Sequence, residues 1–190
     1  ATTFCQGGSV VLTANFVPGD LWQWKLNGVN IVGATNLQFW TNTAGIYEVT
    51  ITNSLNCSTT SAATNVTVNP YPDATVFASG PTTFCVGDSV VLFVNTEVGY
   101  TYQWLQNYNT MVGETNSSLT ITDNPYIDFE VVITSSANCV STSTPTYITR
   151  NPLPTATITA SGLTTFCQGG SVVLNANVGA GLTYQWTLNG

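Results

Sequence analysis

The eleven residues TTFCQGGSVVL, starting at Thr2, return letter for letter at Thr164, and a near copy, TTFCVGDSVVL, starts at Thr82. A threefold recurrence of this kind restricts the chain to copies of one structural unit. The cysteines mark the period, with 80 residues from Cys5 to Cys85 and 82 from Cys85 to Cys167. That spacing is too long for a solenoid repeat and suits one small β-sandwich per copy. Each copy also carries a tryptophan 19 positions after its first cysteine, at Trp24, Trp104 and Trp186. A second cysteine follows at Cys57 and Cys139 in the first two copies, and the chain ends at Gly190 before a third could occur.

Within each copy, short alternating segments separated by turn residues read as strands. SVVLTAN places Val10, Leu12 and Ala14 on one face, and LWQWKL places Trp22, Trp24 and Leu26 together. Asn27-Gly28 then reads as a tight hairpin turn. GIYEVTITN turns Tyr47, Val49 and Ile51 inward and leaves Glu48 and Thr50 outside. The second copy has Phe129, Val131 and Ile133 inward and Glu130 outside, and ATNVTVNP supplies a last strand of the first copy, stopped by Pro70. No segment has a helical period, so the fold class is all-β. NPYPD (69–73) and NPLPT (151–155) each hold two prolines and read as short, semi-rigid connectors. They divide the chain into 1–70, a repeat lacking its first strand; 71–152, a complete repeat; and 153–190, the N-terminal part of a third. A chain that starts and stops inside its own motif reads as a segment of a longer protein.

Charge narrows the function classes. Only 6% of residues are charged, His is absent, and Lys25 and Arg150 are the sole cations in a chain of net charge −7. Most groups used for general acid–base chemistry are therefore missing, and so are the cationic clusters that bind phosphate backbones. No apolar run approaches a membrane span. The expectation is a non-catalytic protein with no cofactor, no resident metal, no nucleic-acid partner and no membrane insertion. The cysteines keep step with the repeat and form no CxxC pair of the kind that binds zinc, which suggests disulfides and an oxidising, extracellular setting.

In order, FCxGxSVxL, YQWxxNG, YxVxIT and NC resemble strands B, C and F of immunoglobulin-like and PKD-like domains. The combination resembles the tandem repeats of very large cell-surface adhesins of Bacteroidota, including gliding-motility adhesins. The likeness implies tandem immunoglobulin-like β-sandwiches forming an extracellular stalk or filament on a cell surface. Its partners would be neighbouring repeats, other copies in a filament, and a surface glycan. The acidic WDFGDG signature of PKD domains is absent, with WKLNG and WTLNG in its place, and the tyrosine-corner position, Tyr47, is Phe129 in the second copy. The alternative function is a carbohydrate-binding accessory region of an extracellular enzyme, which calls for an outward aromatic repeated in every copy. Trp40 is the candidate, and it is not repeated.

On this topology Trp24, Trp104, Trp186, Tyr47 and Phe129 are core residues. The two cysteines of one copy flank strands B and F at opposite poles, roughly 20 Å apart, whereas a disulfide spans about 4.4–6.8 Å between Cα atoms. Pairing of Cys5 with Cys139 in the neighbouring copy is therefore preferred, leaving Cys57, Cys85 and Cys167 for partners outside the chain. Pairing of Cys5 with Cys57 stands if the strand directions differ, and unpaired thiols are the third option. Asp123, Asp128 and Glu130 read as solvated carboxylates, since no calcium-type loop surrounds them. Val11, Val91, Val173 and Phe93 point outward from strand B, toward either strand A or a neighbouring fibre.

Overall fold

A computed structural model describes residues 1–122 and 127–189. Among them every regular element is a strand. The first repeat holds β1 (Thr3–Cys5), β2 (Val10–Thr13), β3 (Leu21–Leu26), β4 (Val29–Asn30), β5 (Gln38–Thr41), β6 (Gly45–Thr52), β7 (Ser58–Thr60) and β8 (Thr64–Asn69). One of its sheets runs β1-β8-β6-β3-β4, with β7 also on β6, and the other is the pair β2-β5. The second repeat holds β9 (Val76–Ala78), β10 (Thr83–Cys85), β11 (Val90–Val94), β12 (Thr101–Gln106), β13 (Asn109–Thr110), β14 (Ser118–Ile121), β15 (Ile127–Thr134), β16 (Val140–Thr142) and β17 (Thr146–Asn151). Its sheets are β10-β17-β15-β12-β13, with β16 on β15, and β14-β11-β9. Residues 153–189 contribute β18 (Ile158–Ala160) and β19 (Leu174–Ala176), an antiparallel pair.

The TTFC motif lies ahead of the strand expected from it and forms a strand of its own. Thr3–Cys5 pairs in parallel with β8, and Thr83–Cys85 does the same with β17. The glycine after each cysteine's neighbour turns the chain toward the next strand with a left-handed φ, at Gly7 (84°), Gly87 (100°) and Gly169 (90°). A side chain would strain the backbone at those three positions. The second repeat adds β9 to the free edge of β11, an edge that the corresponding β2 leaves open. Phe93, one of the residues expected to point outward, finds a partner there, stacking on Phe77 with ring centroids 5.7 Å apart.

Alternation holds in the first two repeats. In the first, Leu12, Trp24, Tyr47, Val49 and Val66 are buried between the sheets, with Val10, Ala14, Trp22, Leu26 and Ile51 packed around them. In the second, Leu92, Trp104, Phe129, Val131, Ile133 and Ile148 form the corresponding core. The buried indoles keep their hydrogen bonds: Trp24 Nε1 donates to the Asn36 carbonyl at 2.9 Å, and Trp104 Nε1 to that of Asn116 at 2.9 Å. Burial of an aromatic amphiphile depends on such a partner.

Two expectations need correction. Trp186 is 48% exposed rather than in a core. In the first two repeats Trp24 and Trp104 lie opposite Val49 and Val131 on an adjacent strand, and among the described residues 153–189 no strand pairs opposite Trp186. The apolar hollow lined by Pro154, Ile158, Leu182 and Trp186 is the uncovered side of that unit. Glu130, expected outside, is 7% exposed. It sits on the outer face of its strand, β15, which is flanked by β12 on one side and by β16 and β17 on the other.

Candidate functional site

The junction between the complete repeats brings together segments far apart in sequence. Cys5 ends β1 in register with Asn69, the last residue of β8, and the amide of Gln6 donates to the Asn69 carbonyl at 2.8 Å. The first proline connector leaves from that residue, and its Pro72 is buried. Cys139 lies in the β15–β16 loop of the next repeat. Cys5 and Cys139 form a disulfide with Cα atoms 5.6 Å apart, across 134 residues of sequence. Cys139 is fully buried, and its Sγ sits 4.0 Å from the Asn69 carbonyl oxygen. The bridge thus closes over the connector, tying the exit pole of one bead to the first pole of the next.

Cys57, Cys85 and Cys167 are free and exposed. Their backbones nevertheless reproduce the bonded pair. The Asp88 amide donates to the Cys85 carbonyl at 3.1 Å and the Gly170 amide to that of Cys167 at 2.9 Å, as Gly8 does to Cys5 at 2.9 Å. Val86 donates to Asn151 at 3.0 Å as Gln6 does to Asn69. The loops that carry the second cysteines match too. Asn53 donates to the Cys57 carbonyl at 3.0 Å and Ser135 to that of Cys139 at 2.9 Å. The Cys57 amide is held by Asn53 Oδ1 at 3.0 Å and the Cys139 amide by Ser135 Oγ at 3.1 Å. Asn56 and Asn138 both adopt positive φ, 61° and 60°, a conformation that Asn tolerates better than most residues.

Several repeated features escape a reading based on strand periodicity. Gln23 donates its side-chain amide to the carbonyls of Trp24 and Ile31 at 2.9 and 2.8 Å, and Gln103 to those of Trp104 and Met111 at 3.0 and 2.7 Å. These glutamines pin the loop that covers the tryptophan, and VGATN at 32–36 and VGETN at 112–116 were the available signal. The last strand is split: Ser61 and Ser143 insert between its halves, and their hydroxyls accept from the Val49 and Val131 amides at 3.1 and 3.0 Å. Tyr47 makes its corner through O–H donation to the Thr43 carbonyl at 3.0 Å and a 2.7 Å contact with Thr41 Oγ1.

Other surfaces are sparser. Trp40 is exposed on the outer face of β5 opposite Val11, and the strand register makes Thr120 its counterpart in the second repeat. At this position the second repeat has no aromatic. Asp128 Oδ1 is buried without a hydrogen-bond partner, and Asp128, then Glu130, holds the Tyr108 hydroxyl above the usual tyrosine range. Asp123 lies outside the described residues. Among the described residues no group of three His, Cys, Asp or Glu side chains could hold a metal, and no helix is long and apolar enough to cross a membrane.

No protein-family model matches the chain, and no curated protein sequence does. Solved structures do. The I-band fragment I67–I69 of titin aligns with a TM-score of 0.53 at 9% identity, over 89% of this chain and 78% of that one. An E-to-A variant of the same three-domain titin segment gives 0.53 and 9% over 94% and 86%. Murine CEACAM1b aligns with a TM-score of 0.40 at 16% identity over 79% and 96%. At these identities the likeness is one of fold. The chain has the fold of tandem immunoglobulin-like β-sandwich domains.

Proposed function

We propose that this chain is part of a non-catalytic stalk, secreted and displayed on a cell surface as the structural repeat region of an adhesin of the Bacteroidota type. The observation that carries the reading is the Cys5–Cys139 bridge, which joins one repeat to the next instead of stapling a single repeat. A free-standing binding module gains nothing from a covalent tie to its neighbour, whereas a stalk gains a fixed angle between beads. The shared backbone settings of Cys85 and Cys167 with Cys5, and of Cys57 with Cys139, support a continuing ladder, with one rung per pair of adjacent repeats and 1–70, 71–152 and 153–190 as successive units. Scarce Lys and Arg suit a protein exposed to trypsin-like proteases. Disulfides and an extracellular location go together chemically.

Small-angle X-ray scattering of the chain, oxidised and then reduced, tests this. A stalk requires a narrow distribution of distances between the first two repeats that broadens on reduction, because the semi-rigid connector alone then sets their relative angle, without the covalent tie. Equal breadth in both states would remove the case for a stiff stalk.

A further inference from the structure

The bridge has a topological consequence. Residues 6–138 lie inside the covalent ring it closes, and they include every strand from β2 to β15. A pull on the two ends of the chain follows residues 1–5, crosses the disulfide, and continues from Cys139 onward. That path uses 57 of the 190 residues. We infer that the Cys5–Cys139 bridge takes the bodies of both complete sandwiches out of the load path, so that tension neither unfolds them to gain length nor acts on most of their cores.

The local architecture fits this role. β1 lies parallel to β8, anchored at its two ends by the Thr67 amide on the Thr2 carbonyl (2.9 Å) and the Gln6 amide on the Asn69 carbonyl (2.8 Å). Tension entering at the N-terminus runs along β1 and meets Cys5 at its far end. Without the bridge it would shear β1 from β8 and then open the sandwich. With it, force leaves the first bead at Cys5 and enters the second at Cys139, where the chain runs on through β16 and β17 toward the next connector. Without the bridge, the 133 residues of the ring would add about 460 Å of contour at about 3.5 Å per extended residue.

Where the ladder continues, which rests on the stalk reading, a load would cross from Cys5 to Cys139 and advance 28 residues to Cys167 before the next rung. Two repeats would then present about 100 Å of covalent path, against about 570 Å for their 162 residues unbridged. Such a stalk is a cable of nearly fixed length.

Single-molecule pulling on the 190-residue chain, held at its two ends, tests the inference for the one bridge within it. The oxidised chain is expected to show no lengthening from residues 6–138 over a force ramp. The same chain in reductant, and a Cys5→Ser/Cys139→Ser variant without reductant, are expected to release about 460 Å in one or more steps. An oxidised chain that releases this length overturns the inference, and so does a reduced chain that holds its length, since its beads then need no shielding. Neither result depends on the scattering experiment, so a chain that is shielded but flexibly jointed would sink the stalk and leave the inference standing.

Discussion

Tyr47 and Thr41 show how the repeats diverge while keeping one core. Their hydroxyls meet at 2.7 Å in the first repeat. The second has Phe129 and, by strand register, Ile121 in the same places, both buried. Replacing both partners of a buried hydrogen bond by apolar groups is nearly neutral, whereas replacing one strands the other. Tyr47→Phe alone should cost about 1–3 kcal/mol, and Thr41→Ile in that background should recover part of the loss. A double-mutant cycle by chemical denaturation checks this: a coupling energy near zero would mean that the two positions vary independently.

At the level of elements, the connector into the second repeat has its own local lock. Asp73 Oδ1 accepts from the Thr75 hydroxyl at 2.6 Å and the Thr75 amide at 3.0 Å. Those two bonds, the hydroxyl first, hold its carboxyl below the usual aspartate range. A depressed carboxylate stabilises the folded form above the unfolded pKa, and that contribution is lost as the pH falls through the folded value. The turn leading into β9 should therefore loosen only under acid conditions, below about pH 4. Amide exchange of β9 in the native chain and in Asp73→Asn reads this out. The native protein should show extra acid-side loosening that the variant lacks, and matching pH profiles would show that the turn does not depend on the charge. The strand order, the Asn27-Gly28 hairpin and the inward faces of β3, β6 and β15 were legible in advance, because alternation and turn chemistry are local. The split last strand and the parallel β1 were not. Three-residue strands carry too little periodicity, and their partners lie some 64 to 66 residues away.

At the scale of the molecule, the two cations make the covalent topology easy to read. Lys25 lies in β3 and Arg150 in β17, so folding protects both peptide bonds. The folded chain should resist trypsin. Once denatured without reduction it should give 151–190 plus a two-chain species, 1–25 held to 26–150 by Cys5–Cys139. Reduction should divide that species in two. Mass spectrometry finding 1–25 free before reduction would show that the bridge is absent from the protein.

The sequence alone determined an all-β chain of tandem repeats, each the size of one small sandwich, the residues facing inward in the first two of them, and a composition poor in the usual catalytic groups. These follow from period, turn residues and composition, which act over a few neighbouring positions. Tertiary structure decided the rest: that Glu130 is covered, and that, of the pairings left open, Cys5 takes the preferred partner Cys139 rather than Cys57. Each of these depends on which surfaces meet across many residues of chain, and a disulfide or a buried face exists only where two such surfaces come within contact distance.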